Sequence, residues 1–293
     1  MDPNDSVSTL YELAVAAQRA GDYRGLKQIA AKLVGLCEPV GDAKGLGVAH
    51  FCLGLSYFLQ SDGRRAREEY EAALAFAESA DDRAGILRIR LGLAAVAGDI
   101  DLDVDTLRRW SEAALFMARE IGDEKNEGIA LGNLAEACHL QGDYEHAIRF
   151  ACEAADIFQH LERWSSAGAQ YATVGNVYAL RGDFSQSIEY MGKAWEYLRR
   201  EPVPLHRAWY FQVWFLIAAA LDRWEIAAQL YGFVAHYRDV HNTPRLQGML
   251  PWLSGPIEQQ YKELGYDRAA ELARRGEAYS IAQVHELVAT LQN

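Results

Sequence analysis

Between His50 and Ala73 the apolar and small positions fall three and four residues apart. Leu53, Gly54 and Tyr57 form one stripe, the turn Ser61-Asp62-Gly63 interrupts it, and Ala66, Tyr70 and Ala73 form a second. That spacing puts each set on one face of a helix, so the segment predicts a helical hairpin. The residue types fit the packing: a small residue lets two backbones approach, and a large one a turn later fills the space beside it. The small position returns as Ala14, Gly54, Ala94, Ala135 and Gly175, with Tyr57, Cys138 and Tyr178 one turn on. Gly175 predicts a close helix contact, because glycine inside a helix costs about 1 kcal/mol relative to alanine.

Polar punctuation falls on the same grid. Gly21-Asp22-Tyr23, Gly142-Asp143-Tyr144 and Gly182-Asp183-Phe184 share one phase with Ser61-Asp62 and Asp222-Arg223-Trp224. The step is about 40 residues, inside the range of stacked repeats, in which no unit buries its apolar face alone. A second set, Gly41-Asp42-Ala43-Lys44-Gly45, Asp81-Asp82-Arg83-Ala84-Gly85 and Gly122-Asp123, is expected to stop one helix and start the next. The third unit is irregular, with Asp99, Asp101, Asp103 and Asp105 at alternate positions. A calcium loop needs a central glycine and a terminal bidentate glutamate, and neither falls in place, so a widened acidic turn is expected.

The sixth hairpin, from Trp209 to Val234, carries Trp209, Tyr210, Phe211, Trp214, Phe215 and Trp224, which at helical spacing predict a core. Glu201-Pro202-Val203-Pro204 separates it from the fifth, since proline ends the preceding helix. Beyond it the grid stops. A Pro/Gly-rich connector from Asn242 to Pro256, helices closed by Gly265 and Gly276, and a last helix opened by a Ser280–Gln283 capping box read as a cap. The expected organisation is a repeat array over residues 6–235 followed by capping helices over 236–293.

The positions Leu53, Gly54, Tyr57, Ala66, Tyr70 and Ala73, and again Val174, Gly175, Tyr178 and Ala194, resemble the tetratricopeptide repeat. Ser187 and Met191 depart from its usual alanine and aromatic, and the third unit matches poorly. The resemblance implies an all-α, right-handed superhelical solenoid of about six hairpins, and the long period is similar to a variant common in bacterial signalling proteins. The run Ala227-Ala228-Gln229-Leu230-Tyr231-Gly232, with Tyr261, Leu264-Gly265, Ala269-Ala270, Gly276 and Ser280 to Val284, is similar to the C-terminal end of bacterial signal-transducing nucleotidases and LuxR-type activators. That implies a sensing or partner-binding arm. The chain departs from those regulators in having no phosphate-binding G-x-x-x-x-G-K-[ST] loop and no basic helix-turn-helix.

Composition narrows the function classes. A formal charge of −12 opposes a phosphate backbone, so direct nucleic-acid binding is not expected. Cys37, Cys52, Cys138 and Cys152 lie far apart inside helical patterns and read as buried thiols in a reduced compartment. The start, Met1-Asp2-Pro3-Asn4-Asp5, is unlike a signal peptide, and the longest apolar run, Val213 to Leu221, is far below the ~20 residues of a membrane helix. A cytoplasmic protein is expected. Its eight histidines form no recognisable metal or catalytic spacing, and no nucleophile elbow occurs; no catalytic residue, metal or cofactor is expected, and the chain reads as non-enzymatic.

In the resembling repeats the first helix of each hairpin lines a concave face. Mapped here, that face holds Phe51, Leu55 and Phe58, then Arg88, then Asn133, Glu136, His139, Asn176, Trp209 and Gln212. Of these, Asn133, Glu136, His139 and Asn176 suit an extended peptide, because amide side chains bond to backbone donors and acceptors. No lysine maps to these positions, which disfavours the lysine clamp by which chaperone-type repeats hold a terminal carboxylate. The expected function is a scaffold binding a peptide, protein segment or small inducer in its groove, as a sensor or interaction arm in bacterial signalling or transcription regulation. The alternatives are an assembly adaptor using its outer face or the aromatic sixth repeat, and a cryptic hydrolase or metal protein.

Overall fold

The computed structural model describes residues 9–14, 16–17, 22–241, 243 and 250–292. Gly21 and most of the connector after Asn242 lie outside them. Residues 9–14 and 16–17 are helical. There follow α1 (Tyr23–Cys37), α2 (Ala43–Leu59), α3 (Gly63–Ser79), α4 (Arg83–Val96), α5 (Val104–Ile121) and α6 (Glu124–Leu140). These build one compact unit. A second is built from α7 (Tyr144–His160), α8 (Trp164–Leu180), α9 (Phe184–Leu198), α10 (Pro204–Ala220), α11 (Trp224–Val240), α12 (Leu250–Leu264), α13 (Tyr266–Glu277) and α14 (Ile281–Ala289). No strand occurs among the described residues.

Aspartate at the grid position starts the helices. Asp22, Asp42, Asp62, Asp82, Asp103, Asp123, Asp143 and Asp183 each accept a hydrogen bond from the backbone N–H three residues on. Each satisfies a donor that the first turn leaves without an intrahelical partner. The residue before some of these caps has to turn left-handed: Gly142 has φ 76° and Gly182 φ 79°. At the same grid position Ser61 (φ 58°) and Asp222 (φ 55°) adopt this conformation without being glycine. Arg163 and Arg223 stand where aspartate is elsewhere and make no capping bond.

The small-large pairing predicted for the second hairpin is present. Tyr70 of α3 is buried at 1% exposure, and its ring lies between α2 and α4. A Cβ placed at Gly54 would sit 2.6 Å from the ring, and one at Gly92 2.8 Å from it. Gly175 meets the same demand, with Met191 Sδ 3.0 Å from a Cβ there. In the second unit the aromatic hairpin is core, as expected: Tyr210, Phe211, Trp214 and Phe215 are buried with Met191, Phe233 and Tyr237. Val284 and Val288 of α14 complete that core.

Two details of the C-terminal helices differ from expectation. The connector ends earlier, since α12 begins at Leu250 and carries Pro256 inside it. Gly265, with φ 75°, does separate α12 from α13, but Gly276 lies within the last turn of α13, which runs one residue beyond it to Glu277. Gly276 is a packing residue: a Cβ on it would fall 1.9 Å from the Gln229 carbonyl oxygen, and one on Gly232 2.0 Å from that of Ala273. The two glycines let α11 and α13 cross with their backbones in contact. Among the described residues no helix is long and apolar enough to cross a membrane, and the four cysteines are free thiols.

Candidate functional site

The concave pocket of the first unit is built from helix faces whose residues recur at helical spacing. The first helices of successive hairpins supply Phe51, Leu55 and Phe58 from α2, Arg88, Leu91, Gly92 and Ala95 from α4, and Lys125, Asn126, Ile129 and Asn133 from α6. Tyr11 and Ala14 close one side, and Tyr70 reaches the floor past the two glycines. The volume is about 190 Å³, over ten times the ~10–15 Å³ that one water needs. Its walls are mostly apolar with a few polar groups, the composition typical of a ligand pocket.

Arg88 and Asn126, two polar groups of the lining, are positioned by local contacts. Arg88, 23% exposed, lies over the Tyr11 ring with Cζ 4.9 Å from its centroid, and its Nη2 stands 3.9 Å from Asp82 Oδ2. Asn126 donates through Nδ2 to Asp123 Oδ2 at 2.6 Å and is buried, whereas Asn133 is half-buried. Burial pushes the Tyr11 hydroxyl upward in pKa, against the opposing pull of Arg88.

The structure distributes the expected groove residues over different surroundings. Arg88 and Asn133 line this pocket together with Phe51, Leu55 and Phe58. Glu136 and His139 do not. His139 is buried, which holds its imidazole neutral by lowering its pKa to about 4. Glu136 lies against the acidic turn after α4, where residues 97–101 form a π-helical turn and Leu102 is left-handed at φ 57°. In that turn Asp99 faces Glu136, Asp101 pairs with Arg67, and Asp103 caps α5 by accepting from Thr106 N at 3.0 Å. Asp99, Asp101 and Asp103 therefore face different groups, and among the described residues no group of three or more acidic, histidine or cysteine side chains is gathered for a metal.

In the second unit Asn176 is 1% and Gln212 4% exposed. Gln212 accepts from Arg238 Nη2 at 2.8 Å inside the core. Trp209 is half-buried and donates through Nε1 to Thr173 Oγ1 at 3.3 Å. Lys125, by contrast, lines the pocket, although no lysine falls at the expected groove positions. It is the second residue of α6, about two turns before Asn133, the first of the expected groove positions on that helix.

Burial raises the carboxyl pKa of Asp99, and the Glu136 carboxylate raises it further; burial lifts Glu136 to about 7. Below its ordinary value of 4.5 the proton stays on in both folded and unfolded states; above that the unfolded chain releases it first. The contribution to stability is thus full below about 4.5 and is lost as pH rises through about 7. His139 acts oppositely, its contribution lost as pH falls from 6.5 towards about 4. Above pH 6.5 the carboxylates act alone. Urea unfolding followed by circular dichroism is therefore expected to show a loss of about 1 kcal/mol between pH 6.5 and 8, and Glu136→Gln to flatten it. An unchanged slope in that variant would remove the pair as its source.

Solved structures of low sequence identity share this fold. A Rap protein complexed with the competence and sporulation factor aligns with a TM-score of 0.71 at 13% identity, over 97% of this chain and 76% of that one. Aspartyl phosphate phosphatase F from Bacillus subtilis aligns with a TM-score of 0.66 at 16% identity, over 94% and 70%. A plasmid's Rap conjugation gene regulator in complex with a Phr peptide gives 0.65 at 14%, over 94% and 74%. No family model and no curated protein sequence matches the chain. The likeness is one of architecture, an all-α helical repeat.

Proposed function

We propose that this chain is a helical-repeat scaffold that binds a peptide or protein segment on the face made by its first helices, as a sensor or interaction arm in bacterial signalling. The observation that carries this reading is the pocket on α2, α4 and α6, with apolar walls and the half-buried amide of Asn133 at one end. Such a surface suits an extended chain, whose side chains meet the apolar wall while amides bond to its backbone. The plasmid regulator of the same architecture is a peptide complex. Binding rather than catalysis fits the lining, which holds no aspartate, glutamate, cysteine, serine or histidine; the phosphatase name belongs to one structural neighbour. The likeness of the tail to nucleotidase and LuxR-type regulators supports the narrower role of a regulatory arm, with residues 6–235 as the array and 236–293 as its cap. Packing of α13 on α11 through Gly232 and Gly276 fits the capping role.

The test is selection of displayed heptapeptides on the immobilised chain, repeated with Ala95→Glu, at a half-buried position of the lining. The substitution places a charge on the apolar wall of the pocket. Selected peptides are expected to bind that variant at least tenfold more weakly while its circular dichroism is unchanged. Peptides indifferent to it would move the binding surface elsewhere.

A further inference from the structure

Two buried polar side chains line the pocket, Asn126 and Tyr70. Asn126 is committed to Asp123, and the half-buried Arg88 is paired with Asp82 and lies over Tyr11. Tyr70 is not committed. It is 1% exposed, yet among the described residues its hydroxyl makes no hydrogen bond. Cys52, which acts on it electrostatically, is a buried thiol, and sulfur is a weak acceptor. Burial, with Cys52 adding to it, pushes the phenol upward in pKa, so the hydroxyl keeps its proton and stands as a donor.

The two glycines decide where that hydroxyl points. A Cβ at Gly54 would meet Cδ1 and Cε1 of the ring, at 2.6 and 2.7 Å, whereas one at Gly92 would meet Cζ at 2.8 Å and both Cε atoms at 3.0 Å. Gly92, itself a lining residue, therefore lies against the tip of the ring, and the oxygen one bond beyond Cζ stands on the pocket side. Packing of the three helices uses the ring and not the oxygen. A buried donor left without an acceptor carries its desolvation cost uncompensated, and native proteins leave few such groups. The space beside it is about 190 Å³. An apolar cavity of roughly 150 Å³ holds a benzene ring, so one aromatic ring with a substituent fits.

We propose that the pocket takes a tyrosine side chain of the bound peptide: Phe51, Leu55, Leu91 and Ile129 receive its ring, and the Tyr70 hydroxyl donates to the phenol oxygen at its tip. This names the anchor of the peptide-binding reading above and rests on it. Tyrosine joins an apolar body to a polar tip, which matches apolar walls with one donor at the floor. A short polar side chain leaves the walls unfilled. Phenylalanine fills them but seals the Tyr70 donor without a partner, and a site that bonds a hydroxyl discriminates against the analogue lacking it for that reason.

The experiment uses three fluorescein-labelled heptapeptide pools and the full chain, read by fluorescence anisotropy. The central residue is tyrosine in the first pool, phenylalanine in the second and 4-methylphenylalanine in the third; the flanking positions are randomised identically, without aromatic residues. The tyrosine pool is expected to bind about tenfold tighter than either of the others, the worth of one hydrogen bond. In Tyr70→Phe, with the fold checked by circular dichroism, the three pools are expected to fall within about threefold of one another. A tyrosine preference under about threefold in the parent overturns the proposal, and so does a larger one that survives Tyr70→Phe. If that variant does not fold, the third pool decides on the parent, since the methyl fills the room of the hydroxyl without bonding: binding within about threefold of the tyrosine pool overturns the hydrogen bond. Equal binding of all three pools, weakened by Ala95→Glu, overturns the tyrosine anchor and leaves the pocket standing as a peptide site. No binding by any pool overturns both.

Discussion

Gly276→Ala is expected to lower the stability of the second unit by about 3 kcal/mol or more, the upper range for overpacking. The added methyl meets the Gln229 carbonyl oxygen at 1.9 Å, and backbone cannot move aside as the end of a flexible side chain can. To admit it, α11 and α13 have to separate along the crossing where Gly232 faces the Ala273 carbonyl. Helix propensity works the other way, since alanine gains about 1 kcal/mol over glycine in a helix interior, and the contact outweighs it. Gly192→Ala supplies the contrast: Gly192 lies inside α9 with nothing within 4 Å of the Cβ position. That variant is expected to gain about 0.5–1 kcal/mol. Calorimetric melts of the two variants and the parent give the check; equal behaviour at positions 276 and 192 would show that the crossing is not close.

Tyr70→Ala is expected to cost about 3–5 kcal/mol in the first unit, the range for removing a large buried aromatic. The ring is held by α3 and fills the gap left by Gly54 of α2 and Gly92 of α4, so one truncation loosens three helices. It also forms part of the pocket floor, so peptide binding is expected to fall with stability. Tyr70→Phe keeps the ring and is expected to lose less than a third as much. Urea titration of both variants separates a packing role from one of the hydroxyl; a Phe variant as weak as the Ala variant would assign the cost to the oxygen.

Much of the fold was legible because its rules are local. Small and large residues at fixed spacing identified the hairpins, and the Gly-Asp grid marked the turns, with the aspartates acting as caps. Gly276 was misread because a glycine near the end of a helical pattern resembles a stop signal; only the proximity of α11, distant in sequence, reveals its role. The site was legible in part. Periodicity assigns a residue to a face but says nothing of depth, so Arg88 and Asn133 fell in the pocket while Asn176 and Gln212, on corresponding faces, are buried. Gln212 is covered because Arg238 sits against it, a partner that no spacing rule connects to it. Lys125 escapes the repeat pattern because it lies about two turns before Asn133 on α6, outside the positions that recur from hairpin to hairpin. Glu136 was assigned to the groove, but the π-helical turn brings Asp99 to face it.

The capping aspartates bear on how the acidity of this protein is understood. Of its excess negative charge, eight units belong to Asp22, Asp42, Asp62, Asp82, Asp103, Asp123, Asp143 and Asp183, each engaged in starting a helix. Without them the net charge of −12 would be −4. Acidity here is largely a by-product of architecture: an array lengthened by the same rule becomes more anionic with every helix added, whatever its guest. Isoelectric point therefore reports in large part how many helices an aspartate begins.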